Sequence, residues 1–457
     1  MAHTSRLATA LARTNPVSPA RLAAFEILLR VEDGAYASIL LAQQEPDLEP
    51  RDRALCHELV MGVLRWQLWL DRLAEHFTKR PTSDLDPAIR LVLRLGLYQL
   101  RFLSRVPASA IVNESVNLVH RARLRSAGAL VNAVLRRAAR ELNIDPAQDI
   151  SDPLERLAVA TSHPVWLIER WTKVFGIEET EAFARANNQP APIAFRVVTQ
   201  RSSEDVVIAQ LRASGAKLEP SKVAKHAWRI TDHGPLFAEL VAGGKIYVQD
   251  EASQMVAQVL DVQAGERVLD LCAAPGSKTT QIAGALKDTG IVIASDLHAH
   301  RLRTVRDTTK LHSLLNVHCL TLNGLEPLPF RENSFDRVLV DAPCSGTGTF
   351  RHNPEIRWRI SADDIDDLAS RQKRLLLNVA PMVKPGGRLV YSTCSVEPEE
   401  NESVVQTFLE NNINFSLLAL PSRDTQRSAG TLRTWPQHHD TDGFFVASLQ
   451  RGIDKGK

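Results

Sequence analysis

Two of the five cysteines in this 457-residue sequence stand among polar and glycine neighbours. Cys344 lies in Asp341-Ala342-Pro343-Cys344-Ser345-Gly346-Thr347-Gly348, and Cys394 in Tyr391-Ser392-Thr393-Cys394-Ser395. Each follows an apolar run that reads as a strand, and open α/β sheets bind ligands beyond the carboxyl ends of their strands. Both thiols are therefore candidates for chemistry. A lone cysteine is more often a small buried hydrophobe, and Cys56 on a helical pattern and Cys319 inside a strand pattern are read that way. The odd count and the absence of a CxxC pair suggest neither a disulfide framework nor a zinc knuckle, so no metal is expected and the compartment is reducing and cytoplasmic.

Such a pair suits methylation at C5 of a pyrimidine, a carbon too weakly nucleophilic to attack a sulfonium methyl unaided. A thiolate adds to C6, electron density moves to C5, C5 takes the methyl group, and a base removes the C5 proton so that the thiol is eliminated. One cysteine adds and the other helps release; spacing alone does not say which. Asp341 is suited to hydrogen-bond the base at N3 and the exocyclic N4, stabilising the charge that develops on attack.

The cofactor is read from another turn. Asp270-Leu271-Cys272-Ala273-Ala274-Pro275-Gly276-Ser277-Lys278 is a small-residue passage from strand to helix that lets a ligand approach the backbone closely. Asp296 ends the next strand 20 residues after Gly276, the spacing at which a carboxylate meets ribose hydroxyls. A dinucleotide site needs GxGxxG and a P-loop needs adjacent Gly-Lys with an earlier glycine, and this turn has neither. A phosphate-free adenosyl ligand, S-adenosylmethionine, fits better.

The elements that must position these residues form three parts. From Val17 to Arg140 the apolar spacing is helical, with Ser18-Pro19 and Asp86-Pro87 as helix starts, and predicts a bundle of about five helices. Its residues Pro87 to Arg140 carry ten arginines (90, 94, 101, 105, 121, 123, 125, 136, 137 and 140) against Glu114 alone, although the whole chain has a net charge of only +2. Arginine presents a planar donor fork suited to phosphate, so this stretch favours a nucleic-acid surface over a merely solvated face. After a helical linker, Pro190-Ala191-Pro192 opens a small α+β subdomain, with strands at 193–199 and 227–230 around a helix at 203–214. From Gly265, strands at 267–271, 291–295, 317–321, 337–340 and 388–392 alternate with amphipathic helices, a doubly wound α/β sheet of Rossmann-like type. Gly443 to Leu449 is expected to add an antiparallel strand at its edge. The expected boundaries are a basic tail at 1–16, the helical domain at 17–145, a helical linker at 146–189, the subdomain at 190–247 and the catalytic domain at 248–450. Arg94 and Arg101 interrupt the most apolar stretch, so no membrane span is expected.

The segments around Cys272 to Lys278, Cys344 and Cys394, the last with Glu397-Pro398-Glu399-Glu400-Asn401-Glu402, resemble those of the RNA cytosine-5 methyltransferase family. Val248-Gln249-Asp250-Glu251-Ala252-Ser253 and Asp442-Gly443-Phe444-Phe445-Val446 are similar to its flanking motifs, so the likeness covers residues 190 to 449. The helical part resembles NusB-like RNA-binding domains through Pro50-Arg51-Asp52-Arg53-Ala54, Gly62-Val63-Leu64-Arg65 and Arg105-Val106-Pro107-Ala108. That pairing is similar to bacterial enzymes of 16S ribosomal RNA. The resemblance implies that Cys394 is the nucleophile and Cys344 the thiol that assists elimination. It also implies cofactor contacts from Cys272, Ala273, Ala274, Pro275, Gly276, Ser277 and Lys278, from Asp296 to the ribose, and from Asp341 near the methyl group. Asn323 takes the place after the third strand where the family usually has an aspartate near the adenine. Ser277 replaces a frequent glycine, and Val198 stands where asparagine is common.

The expected reaction is 5-methylcytosine formation in 16S ribosomal RNA by a monomer. A transfer-RNA cytosine-5 methyltransferase and a non-catalytic RNA-binding assembly factor are the competing classes; the basic bundle speaks against the first and the two loop cysteines against the second. Arg351, Asn353, Glu355 and Arg357 read equally as RNA-phosphate contacts or as a polar surface loop. His298 and His300 are read as solvated.

Overall fold

A computed structural model describes residues 17–44, 47–287, 289–420, 426–428 and 430–453. The basic tail expected at 1–16 lies outside the described residues. The described residues divide into two compact units, those up to 188 together with 352–359, and those of 189–351 together with those from 360 onward.

The first unit is helical. Helices α1 (Pro19–Glu32), α2 (Ala37–Gln44), α3 (Pro50–Arg65), α4 (Gln67–Thr78), α5 (Pro87–Phe102), α6 (Ala108–Arg121) and α7 (Gly128–Arg140) share one apolar core. Proline opens α1, α3 and α5, where its fixed φ suits the first turn and its missing N–H costs nothing. Among the described residues seven helices replace the expected five or so. The run from Leu55 to Phe77 breaks at Trp66, which at φ −105° and ψ 20° closes α3 and opens α4, and α2 is too short to announce itself by periodicity.

The ten arginines do not form one solvated stripe. Arg94 is buried, donating to Asp71 at 2.7 Å and to Glu32 at 3.1 Å, and Arg90 reaches the same Glu32. Arg101 donates to the carbonyl oxygens of Ala138 and Glu141 at the end of α7, where helix carbonyls lack internal partners. Arg137 pairs with Glu141. Arg105, Arg121, Arg123, Arg125, Arg136 and Arg140 remain exposed; Arg121 closes α6, and Arg123 and Arg125 lie in the turn from α6 to α7.

Helices α8 (Pro153–Thr161), α9 (Val165–Phe175) and α10 (Ile177–Ala186) complete this unit together with residues 352–359. Arg357 is fully buried and donates to the Ser162 carbonyl oxygen at 3.1 Å and to Asn188 Oδ1 at 3.0 Å. Glu355 accepts the Ala37 N–H, and the Trp358 indole donates to the Leu64 carbonyl oxygen. The polar run after the Cys344 loop is therefore neither a phosphate contact nor a surface loop. Helix ends and turns inside the unit leave carbonyls that need donors, and Arg357 and Trp358 supply them. Arg351, in the second unit, is buried as well, held by the Pro190 carbonyl oxygen at 2.7 Å and Asp440 at 2.9 Å, and Asn353 is half-buried.

The second unit begins with β1 (Ile193–Val197), α11 (Glu204–Ala213), β2 (Lys217–Pro220), β3 (Ala227–Thr231), α12 (Pro235–Ala242) and β4 (Ile246–Val248). These strands pair antiparallel in the order β2-β3-β1-β4. Then come α13 (Glu251–Val259), β5 (Arg267–Asp270), α14 (Ser277–Ala285), β6 (Ile291–Asp296), α15 (Ala299–Leu311), β7 (Val317–Thr321), β8 (Phe335–Asp341), α16 (Ala362–Val379), β9 (Val383–Thr393) and α17 (Glu402–Asn411). The chain ends with β10 (Phe415–Leu417), β11 (Gln426–Ser428), β12 (Thr431–Arg433), α18 (Pro436–His439) and β13 (Phe445–Arg451). Strands β7-β6-β5-β8-β9 run parallel in that order, so the connection reverses direction between β5 and β8. The strand expected at the edge is β13, antiparallel to β9 but internal, because β12 and β10 pair with it beyond. Its five consecutive buried residues fit a strand covered on both faces.

Candidate active site

Parallel strands bring all their carboxyl ends to one edge, and the reversal between β5 and β8 marks the place on it where open α/β sheets bind ligands. Cys272 to Lys278 follow β5, Asp296 ends β6, Asn323 follows β7, Asp341 ends β8 ahead of Cys344, and Cys394 follows β9. The ladder sets the fine placement: Asp341 lies opposite Ser392, and the Ser392 hydroxyl donates to Asp341 Oδ1 at 2.7 Å.

The turn after β5 is tied to its neighbours at several points. Ala273 N–H donates to the Ser295 carbonyl oxygen at 2.8 Å, and the Ser295 hydroxyl to that of Leu271 at 2.9 Å. Gly276 has φ +107°, and a Cβ there would lie 3.2 Å from the Val305 Cα, so glycine permits both the turn and the approach of α15. Arg301 donates to the Ala274 carbonyl oxygen at 3.2 Å and pairs with Asp296 at 3.3 Å, joining the turn to the end of β6. Asp270 is buried, takes the Thr279 hydroxyl at 2.7 Å on one oxygen and has no hydrogen-bond partner on the other. Burial pushes its carboxyl up to about 7, with Asp341 and Asp296 adding to the rise. Asn323 is exposed, and its side-chain oxygen accepts the Leu325 N–H at 3.1 Å.

Lys278 reaches from α14 to Asp341 Oδ2 at 2.7 Å, with its ammonium 5.2 Å from the centre of the Phe444 ring. Burial would lower its pKa, but Asp341 and then Cys394 outweigh that, and it stands above its ordinary value. Burial, reinforced by three nearby aspartates, raises the Cys272 thiol strongly and disfavours its thiolate.

The sulfur atoms of Cys344 and Cys394 lie 3.3 Å apart. Cys344 is raised well above the ordinary thiol value, first by its hydrogen bond with Cys394, then by burial and by the charges of Cys394 and Glu400. The two loops are stitched together beneath the sulfurs. Gly348 N–H donates to the Cys394 carbonyl oxygen at 3.0 Å, and Gly443 N–H to that of Gly348 at 2.8 Å. Ser345 and Ser395, each following a cysteine, both donate their hydroxyls to the buried Glu400. Glu400 also accepts the Ser345 N–H and the Gln372 amide, each at 2.9 Å.

The sequence reading missed this carboxylate, along with Ser345, Ser395, Gln372 and Arg301. Glu400 was visible only as part of Glu397-Pro398-Glu399-Glu400; Glu397 and Glu400 both turn inward, and nothing in that run says which of them meets the cysteine loops. Arg196 of β1 was also missed: buried, it donates to Thr280 Oγ1 at 2.7 Å and Gln249 Oε1 at 3.1 Å, anchoring the start of α14.

Comparison with known proteins gives concordant matches. The family described as 16S rRNA methyltransferase RsmB/F matches residues 257–450, the NusB family residues 18–140, and the RsmF/B-like ferredoxin-like domain residues 163–236. The helical, small α+β and α/β methyltransferase folds expected from the sequence are thus all present. The probable ribosomal RNA small subunit methyltransferase B of Bacillus subtilis (strain 168) is 33% identical, with 94% of this chain and 98% of that protein aligned. The ribosomal RNA small subunit methyltransferase B of Pseudomonas putida is 35% identical over 94% of this chain and 98% of its own. Among solved structures, PH0851 superposes with a TM-score of 0.83 at 30% identity, over 96% of this chain and 100% of that one. A methyltransferase homologue from Pyrococcus horikoshii gives 0.59 at 30% identity, over 66% and 100%.

Proposed function

This chain belongs to the 16S rRNA methyltransferase RsmB/F family, and from that premise we propose that it methylates C5 of a cytosine in 16S ribosomal RNA through a transient bond between Cys394 and C6. The observation that carries this reading is the 3.3 Å separation of Cys344 and Cys394 at the carboxyl edge of the sheet. Two thiols so close serve a reaction that needs one to bond and another beside it when that bond is undone.

Cys394 adds to C6, and the C5=C6 electron pair moves to C5, which bonds the incoming methyl group. A base then takes the C5 proton, the electron pair of that C–H bond restores C5=C6, and the Cys394 thiolate is expelled with Cys344 at its side. Asp341 faces the ring. Lys278 and Ser392 hold its two oxygens, so the carboxylate is fixed before substrate arrives; it accepts from the exocyclic N4 amine, and from N3 once that nitrogen takes a proton from solvent as C6 is attacked.

S-adenosylmethionine, when bound, supplies an electrophilic methyl group on a sulfonium centre. The residues present fit it: the Gly276 turn lets the ligand approach the backbone, Asp270 keeps one buried oxygen without a partner, and Asp296 stands at the end of β6 for the ribose. Asn323 supplies an uncharged group where the adenine would lie, its oxygen already committed to Leu325.

Attack on C6 requires approach perpendicular to the ring, so the target base is splayed from its stack. The exposed Arg121, Arg123 and Arg125 give the helical unit a phosphate-binding turn. The test is base-resolution mapping of 5-methylcytosine in small-subunit RNA from cells with and without this gene. Loss of one signal is expected. Unchanged 16S signals, or methylation of transfer RNA in preference to deproteinised small-subunit RNA, would overturn the reading.

A further inference from the structure

We propose that Glu400 is a positioning residue that locks the Cys344 and Cys394 loops together and decides which of the two sulfurs keeps the proton they share. The inference rests on the covalent reading above for its meaning, but its geometry does not.

Glu400 is fully buried and touches the residue after each cysteine. Four donors from three elements converge on it: the N–H and hydroxyl of Ser345, the hydroxyl of Ser395 and the amide of Gln372. Gln372 in turn donates to the Pro343 carbonyl oxygen, one residue before Cys344, and Tyr391 donates to the Gln372 oxygen at 3.1 Å. A carboxylate is acceptor-only, so one group can gather all these donors and fix both loops to one point. No substrate group is needed to complete the cluster.

Its charge is placed unevenly. Glu400 adds to the rise of the Cys344 thiol, whereas Cys394 adds to that of Lys278, whose ammonium is paired with Asp341. Asp341, Cys272 and Tyr391 belong to the same electrostatic cluster, and Tyr391 is itself raised by burial and then by Cys344 and Glu400. A negative charge that bears on one sulfur and an ammonium that bears on the other polarise the S–H···S contact. When the pair gives up one proton to solvent, the remaining one stays on Cys344 and Cys394 carries the charge. Once Cys394 is bonded to C6 that charge is gone, and Cys344 no longer has an anionic neighbour among the sulfurs.

The test separates charge from geometry in the full chain. Glu400→Gln keeps the shape and can satisfy the same neighbours, through its oxygen and its NH2, but is neutral; Glu400→Asp keeps the charge one methylene short. Each is made in a Cys394→Ser background, and alkylation of Cys344 by iodoacetamide is followed against pH by peptide mass spectrometry. With Gln the alkylation midpoint falls by about one pH unit, which is roughly tenfold faster reaction at a given pH below it. With Asp it stays at the background value. An unmoved midpoint in Gln, or an equal fall in Asp, overturns the proposal. A fall with Gln alone upholds it even if the chain yields no 5-methylcytosine, a result that would instead sink the covalent reading.

Discussion

Cys344 and Cys394 are separated by 50 residues in sequence and by 3.3 Å in space. Their roles differ, so their substitutions have different signatures. Cys394→Ala removes the atom that bonds C6, and turnover falls below detection with no adduct. Cys344→Ala leaves attack intact and slows release, so a protein–RNA complex resistant to denaturant builds up on gels. Product release at the normal rate by Cys344→Ala would contradict its assigned role.

A second prediction concerns the floor of the same site. A Cβ on Gly348 would lie 1.9 Å from the Gly443 carbonyl oxygen and 2.9 Å from that of Cys394. Backbone cannot yield as a side-chain tip does, so the Cys344 loop must move. Displacement of a reacting group by about 1 Å can cost roughly 100-fold in rate. Gly348→Ala is expected to lower kcat on that scale while S-adenosylmethionine affinity, measured by calorimetry, changes little. Full activity would show that the loop tolerates the shift.

Those two loops were legible because their chemistry shows in the residue types: cysteine beside glycine, serine and proline after an apolar strand. The doubly wound sheet was legible for a similar reason, since its strands are short apolar runs with clear breaks. The position of β13 was not. Alternation says that a segment is a strand, but its place within the sheet depends on β12 and β10, whose three residues each carry almost no signal. Charge misled in another way. Ten arginines in the helical bundle read as one surface because a sequence does not show that Arg94 faces Asp71 or that Arg101 caps the end of α7. Glu355 and Arg357 misled likewise: polar residues after a loop look solvated until the backbone N–H and carbonyl groups that need them are seen.

Arg357 provides the third prediction. Its guanidinium is wholly buried, and burial, with Arg65 adding to it, holds its pKa well below the ordinary value. It spends its donors on carbonyl oxygens and the Asn188 amide. Arg357→Leu fills much of the volume and leaves those acceptors without a donor, a loss of roughly 2–4 kcal/mol. Hydrogen exchange should quicken in peptides of α8 to α10. Arg357→Lys, which lacks the planar fork, should fall between the two. Unchanged protection in Arg357→Leu would show that water or other donors take over.

The last prediction is a pH dependence of stability from His312. This ring follows α15, is 1% exposed, stands edge-on to Tyr247 with centroids 5.3 Å apart, and has no hydrogen-bond partner on either nitrogen. Burial lowers its pKa to about 4, and the charges of Arg196 and Arg201 push the same way. The unfolded chain takes up a proton near pH 6.5, whereas the folded one resists until about 4. The stabilisation is therefore fully present above the unfolded value and is lost as the pH falls through that window. Asp270 acts in the opposite sense: its raised carboxyl favours the folded state at low pH, and that advantage disappears as the pH rises towards 7. In His312→Phe the Tm should decline less between pH 6.5 and pH 4 than in the parent chain, with Asp270 as a common background in both. Parallel Tm profiles for the two proteins would mean that the ring charges in the folded state as readily as in the unfolded one.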